Sequence, residues 1–376
     1  MSIEQLYQAR ARVHSFLLPS LASLATELND NWVNDIKKDK SANVAALARS
    51  SLRLTEEMTP EVNKIIELVC RRIQIDRSLV DVYVFPSADL NGFCYIHELP
   101  ITVGLSSSLI KALAGDELAF ILGHEIGHAL FKETANFVGN ADCLEDQIYS
   151  RAVEISVDRV GLLAANNCDA AFRAILKTLS GLDDNQLRFD FSHFMAEARE
   201  ALDSNVTEQQ LYSSHPPLAQ RFKALVSFSS SDVYQSRVNP DTKASLSIDQ
   251  VNKVIATNLT NSVDAKAYEI IKKELTDLTL WITCLLIISQ KKISLSELQN
   301  QCSVDINKAD IEKAIAFVDG YSAIQKAEVL NEKIQTHLIQ STRLAPRATM
   351  KLINNIERIF PDLKFTNLES IALLMK

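Results

Sequence analysis

His124-Glu125-Ile126-Gly127-His128 sets two imidazoles four residues apart with a carboxylate between them. On a helix, positions i and i+4 share a face, so both rings can grip one metal ion with the glutamate beside it. The stretch from Gly115 to Phe131, GDELAFILGHEIGHALF, is apolar on nearly every face and predicts a helix buried at the centre of a domain. Burying two imidazoles and an ionisable carboxylate there costs on the order of several kcal/mol unless a cation or partner charges compensate. Hydrolytic zinc takes three protein ligands and keeps a fourth position for water, so a third ligand is expected downstream. Glu154 is the leading candidate. Two acids on a helix face more often mark a solvated surface, but Asp158 lies one turn beyond Glu154, on the side opposite Leu144, Ile148, Ile155 and Leu162. From there Asp158 can accept the second N–H of a first-helix histidine, His124 foremost. Glu145 and Asp146 compete as ligands, but neither is followed by an acid four residues later.

The elements that must position these groups can be read from pattern. Thr59-Pro60-Glu61 supplies a helix start, with threonine as N-cap and proline in the first turn, and Val62, Ile65, Ile66, Val69 and Ile73 form its buried stripe. Leu79 to Phe85 is β-branched and aromatic and reads as a strand closed by Pro86. Asn91-Gly92 is a turn signal, followed by two further strands at Phe93 to Ile96 and Ile101 to Val103. From Ser107 the pattern becomes helical, with a second long helix from about Ala141 to Ala165 that stops at Asn166-Asn167.

The ordered set His124-Glu125-x-x-His128, Glu154-x-x-x-Asp158 and His215-Pro216-x-x-x-x-Arg221, spread over Leu54 to Leu225, resembles the gluzincin peptidases. That family includes the HtpX heat-shock protease, the CAAX prenyl endopeptidase and their soluble relatives. The resemblance implies Zn2+ held by His124, His128 and Glu154, with Glu125 as general base. It also implies a substrate contact at Asn91, because the family carries Asn-Ala-Phe before its edge strand where this chain has Asn91-Gly92-Phe93. Zinc lowers the pKa of a bound water towards ~7, so Glu125 can accept its proton and pass it to the leaving amine. The oxyanion donor is expected to be His215 or Arg221, with Tyr212 behind them. An extended substrate is expected to add beside Ile101, Thr102 and Val103 through main-chain hydrogen bonds. Two departures stand out: this chain lacks the family's membrane helices, and Cys94-Tyr95-Ile96-His97-Glu98 is bulky where the family is small and Gly-rich. By their own pattern, His215-Pro216-Pro217 also read as simple turn punctuation before a helix.

Composition limits the remaining options. A chain of 376 residues exceeds one ordinary core and implies two or three domains. A net charge of -8 opposes nucleic acid and anionic membrane as default partners. Six scattered cysteines without a C-x-x-C pair read as reduced and mostly buried. Glu4 and Pro19 argue against a cleaved signal peptide, and Leu278 to Ile288 falls short of the ~18 apolar residues of a membrane span, so a cytoplasmic protein is expected. The expected organisation is an α+β, mostly helical zincin domain with a small sheet at 54–228, preceded by a helical arm at 1–53. A Ser-rich linker at 229–246 would lead to an all-α domain at 247–376, whose apolar helix with KKISLSEL, and final PDLKFTNLESIALL, are similar to TerB-like domains. That domain would dock a substrate or a regulatory protein. The function expected is a zinc endopeptidase acting on protein or peptide substrates. The rival is a catalytically silent zinc scaffold working through its helical domain. Asp305-x-Asn307 begins like a calcium loop but lacks the sixth-position glycine. Cys94 reads as an ordinary buried cysteine before a thiolate switch on zinc, and His14, His97, His193 and His337 read as structural.

Overall fold

The computed structural model describes residues 8, 12, 16, 18, 42–95, 100–131, 142–202, 206–260, 263–289 and 306–360. The chain divides into two compact units. The first takes Met1–Val138, Tyr149–Asn205 and Ser214–Asn261, and the second Gly139–Ile148, Val206–Ser213 and Ser262–Lys376. Mostly helical with one small mixed sheet, the protein is of the α+β class.

The first unit begins its described part with α1 (Ala42–Ser50), β1 (Leu52–Arg53) and α2 (Pro60–Arg72). Pro60 opens α2, but the Thr59 hydroxyl donates back to Thr55 O at 3.1 Å instead of capping the helix. Three strands follow: β2 (Val80–Phe85), β3 (Gly92–Tyr95) and β4 (Ile101–Ser106). The sheet order is β1-β2-β4-β3, with β2 parallel to β4 and both β1 and β3 antiparallel to their neighbours. Asn91-Gly92 therefore does not turn a hairpin from β2; Gly92 starts β3, paired with Leu105. Phe93 lies opposite Gly104 and its ring fills the space a side chain there would need, a cross-strand pair that pins the register.

Helices complete the unit: α3 (Ser107–Ala112), α4 (Asp116–Phe131), α5 (Leu144–Ala165, in this unit from Tyr149 onward), α6 (Cys168–Ser180) and α7 (Phe191–Leu202). Beyond α8 (Glu208–Leu211), which falls in the second unit, the first resumes with α9 (Leu218–Ser229), α10 (Asp232–Val238) and α11 (Ile248–Thr260). Asn166 ends α5 at φ +54°, and Asn167 accepts from Ala170 N to cap α6. From Arg151 to Ala165 every residue of α5 is buried, so Glu154 and Asp158 lie in the interior and not on a solvated face. The stretch expected as a linker, 229–246, is built into this unit. Ser231 caps α10 and bridges to Leu246, and buried Tyr234 packs its ring against Phe228. Serines read as flexible filler are here caps and turn acceptors. Of the expected N-terminal arm, Phe16 is fully buried against Phe228, and Leu18 N donates to Ser156 Oγ at 3.2 Å.

The second unit carries α12 (Val263–Ile288), α13 (Lys308–Asp319), α14 (Ala323–Leu344) and α15 (Pro346–Ile359), and its described residues are all helical where regular. Leu278, Ile282, Leu285, Leu330, Ile334 and Ile356 form its core, so the apolar run of α12 is a packed helix. Tyr212 packs in a satellite cluster of this unit with Leu211 and Val263. Asn307 caps α13 by accepting from Asp310 N, which accounts for Asn307 without a calcium loop. Asp305, His14, His97, KKISLSEL and PDLKFTNLESIALL lie outside the described residues. No helix among those described is long and apolar enough to cross a membrane.

Candidate metal centre

His124 and His128 leave the same face of α4 and bring their Nε2 atoms to 3.2 Å. Two ligands held tetrahedrally at zinc–nitrogen distance would be about 3.3 Å apart. Glu154, from α5, faces both rings, with Oε2 at 3.6 Å from His124 Nε2 and Oε1 at 3.7 Å from His128 Nε2. Ligand atoms of all three lie within 4.8 Å of one another.

The protonation pattern makes this cluster unusual. Asp158 Oδ1 lies 2.9 Å from His124 Nδ1, which fixes the proton on Nδ1 and leaves the Nε2 lone pair facing Glu154. The buried Oε2 of Glu154 has no hydrogen-bond donor. Two acceptors therefore confront each other in a dry setting, a costly arrangement that a cation resolves. These residues fit a bound zinc ion on that ground. Burial pushes the Glu154 carboxyl up, yet the positive charge of Arg221 and of the neighbouring imidazoles when protonated outweighs it and holds it below the usual carboxylate range.

Behind the histidine stands a buried clamp. Arg221, one turn into α9, donates Nε to Asp158 Oδ2 at 2.8 Å and Nη2 to Oδ1 at 2.7 Å. Burial raises the Asp158 carboxyl, but the Arg221 guanidinium and His124 bring it down to about 2. Burial opposes the charge of Arg221 as well, and Asp158 holds it above its ordinary value. Two arms of the planar Arg221 fork, Nε and Nη2, are thus spent on Asp158 and not aimed at a substrate oxygen, as the oxyanion expectation would have them.

The approach of α5 to α4 depends on missing side chains. A Cβ on Gly123 would sit 2.4 Å from Ala164 Cβ, and one on Gly161 would sit 2.9 Å from Phe120. Glycines at these two contacts let the backbones close up and bring Glu154 and Asp158 to the rings. The signal was present in Gly123-x-x-x-Gly127, one face of α4, but its partner on α5 was not identifiable.

The remaining expected residues separate into two groups. Glu125 and Asn91 line a cleft with His124, Glu154, His215 and Arg221. The Glu125 carboxylate passes so close to β3 that a Cβ on Gly92 would meet Oε1 at 3.2 Å. His215 is 61% exposed at this cleft, with Nε2 3.6 Å from Glu154 Oε1 and Nδ1 3.0 Å from the Ser214 hydroxyl. Ile101, Thr102 and Val103 are not at an open edge: β4 is buried and hydrogen-bonded on both sides, to β2 and to β3. That corrects the substrate expectation, because paired backbone groups cannot accept another strand. The edge strand is β3. Sequence reasoning also missed the aliphatic side of the cleft and Arg159, buried on α5, which donates to Phe16 O and Asn252 Oδ1 and lies over the Phe228 ring. Burial lowers the Arg159 pKa to about 9.

Residues 56–143 and 134–229, two overlapping segments, match the family model described as Peptidase family M48. Over these residues the chain is similar to peptidase family M48, whose members are zinc-dependent metallopeptidases. No curated protein and no solved structure matches the chain.

Proposed function

We propose that this protein is a zinc-dependent endopeptidase, with His124, His128 and Glu154 holding the ion and Glu125 acting as general base. The carrying observation is the buried, donor-less Oε2 of Glu154 facing an imidazole whose proton Asp158 holds on the far nitrogen. Zinc bound there would supply Lewis acidity and lower the pKa of a coordinated water. Glu125, on the cleft wall beside Gly92, would take a proton on its carboxylate and return it to the leaving amine. Asp158 and Arg221 would keep His124 in its ligand tautomer, and exposed His215 is the group left to donate to a developing oxyanion. An extended peptide would add along the outer edge of β3, which no described strand pairs.

The test is Glu125→Gln in the zinc-loaded full chain. Retained zinc with cleavage of an unfolded protein reduced about 10²–10⁴-fold supports the reading. Undiminished cleavage by the variant, or none by the zinc-loaded wild type, rejects it in favour of a zinc-holding scaffold.

A further inference from the structure

The cleft carries both polar and aliphatic side chains. Besides the groups of the metal centre, its wall includes Leu90, Leu109, Ile121, Ile175 and Leu179, with Thr178 among them. Leu109, Ile121 and Ile175 are buried members of the core, so packing fixes their positions, whereas Leu179 is 60% exposed at the rim. The Thr178 hydroxyl donates to Ala174 O of its own helix at 2.7 Å, so its bonding need is met within α6. The cavity measures about 170 Å³, close to the roughly 150 Å³ of an engineered apolar cavity that takes one benzene. There is room for one side chain, not a run of them. A charged side chain would lose its water against the aliphatic part of the lining, where Leu109, Ile121 and Ile175 offer no counter-charge.

Resting on the peptidase reading above, we propose that this wall is a specificity pocket that takes one apolar side chain, of leucine, methionine or phenylalanine size, from a substrate residue flanking the scissile bond. Main-chain pairing along β3 would be indifferent to sequence, so this pocket would set where the chain is cut. Selection by charge has little support in the cleft, since Arg221 is bound to Asp158 and Glu154 faces the two histidines.

Mapping of cleavage sites in an unfolded protein by the zinc-loaded full chain tests this. Leucine, methionine and phenylalanine should exceed charged residues about tenfold or more at one position next to the cut bond. Thr178→Leu introduces a better helix former and fills the pocket. It should lower kcat/KM for a phenylalanine peptide about tenfold relative to its alanine counterpart, and Leu179→Lys on the exposed rim should weaken the same preference. A parallel titration with peptide hydroxamates, which bind zinc without being cut, should show a leucine compound about tenfold tighter than its glutamate analogue. Cleavage without side-chain preference, or a preference that neither variant moves, overturns the pocket while leaving the peptidase reading intact. No cleavage together with a hydroxamate preference that Thr178→Leu abolishes supports the pocket and removes the peptidase reading. No cleavage and no hydroxamate preference overturns both.

Discussion

His124, His128 and Glu154 in the first unit, and Glu274, Asp277 and His337 in the second, are both trios of metal-capable groups with ligand atoms within 4.8 Å. They differ in what stands behind them. In the first, Asp158 fixes the His124 proton and Arg221 fixes Asp158, leaving a buried carboxylate oxygen without a donor. In the second, His337 Nδ1 lies 3.0 Å from Glu274 Oε2, a pair in which each side chain is about one-fifth exposed to water. Burial raises the Asp277 carboxyl there, with His337 opposing. Ligand types brought together are therefore not enough. Desolvation and an outer partner that sets tautomer and orientation separate a poised site from an ordinary polar contact.

The comparison breaks most sharply at the clamp. Arg221→Met leaves Asp158 buried without its cation and should cost about 3–5 kcal/mol of stability in denaturant unfolding of the metal-free protein. A loss below about 1 kcal/mol would mean that the clamp carries little. Close behind comes Gly161→Val, which forces side-chain atoms into Phe120. It should cost about 1–3 kcal/mol and weaken zinc binding by separating α4 from α5; unchanged zinc affinity would remove the packing argument.

Asp158→Asn sharpens the contrast directly. Zinc affinity by competition titration should fall about 10–100-fold, whereas Glu274→Gln should leave one zinc per chain bound as before. Acid provides a related test. With its folded pKa at about 2, below the unfolded 3.8, Asp158 contributes stability that is present above about pH 4 and lost as pH falls towards 2. The amount is about 2 kcal/mol, and Asp158→Asn should flatten that part of the metal-free acid-unfolding curve. The smallest effect belongs to the second trio: His337→Gln should change unfolding stability by no more than about 1 kcal/mol.

Much of the centre was legible because its chemistry is local. The His124-x-x-x-His128 spacing works on any helix, and Glu154 and Asp158 one turn apart needed only a second helix to face it. The strands Val80–Phe85 and Gly92–Tyr95 were legible from β-branched and aromatic runs, but their pairing was not. Asn91-Gly92 has hairpin chemistry, and only the sheet order shows that β3 skips β2 to cover β4. The Ser-rich stretch near Ser231 misled because capping and linker serines look alike until a helix is there to cap. Glu274 and His337 lie 63 residues apart, a separation at which no pattern signals contact.

The order of residues along the chain determined which groups could hold a metal, the buried character of α4 and the similarity to a peptidase family. Tertiary structure decided that Arg221 clamps an aspartate, that β3 and not Ile101–Val103 forms the edge, and that aliphatic side chains line the cleft together with His124. The reason is physical: ligand spacing and apolar periodicity are properties of a few consecutive residues, while strand order, bidentate pairing and a pocket's lining exist only once distant segments have packed together.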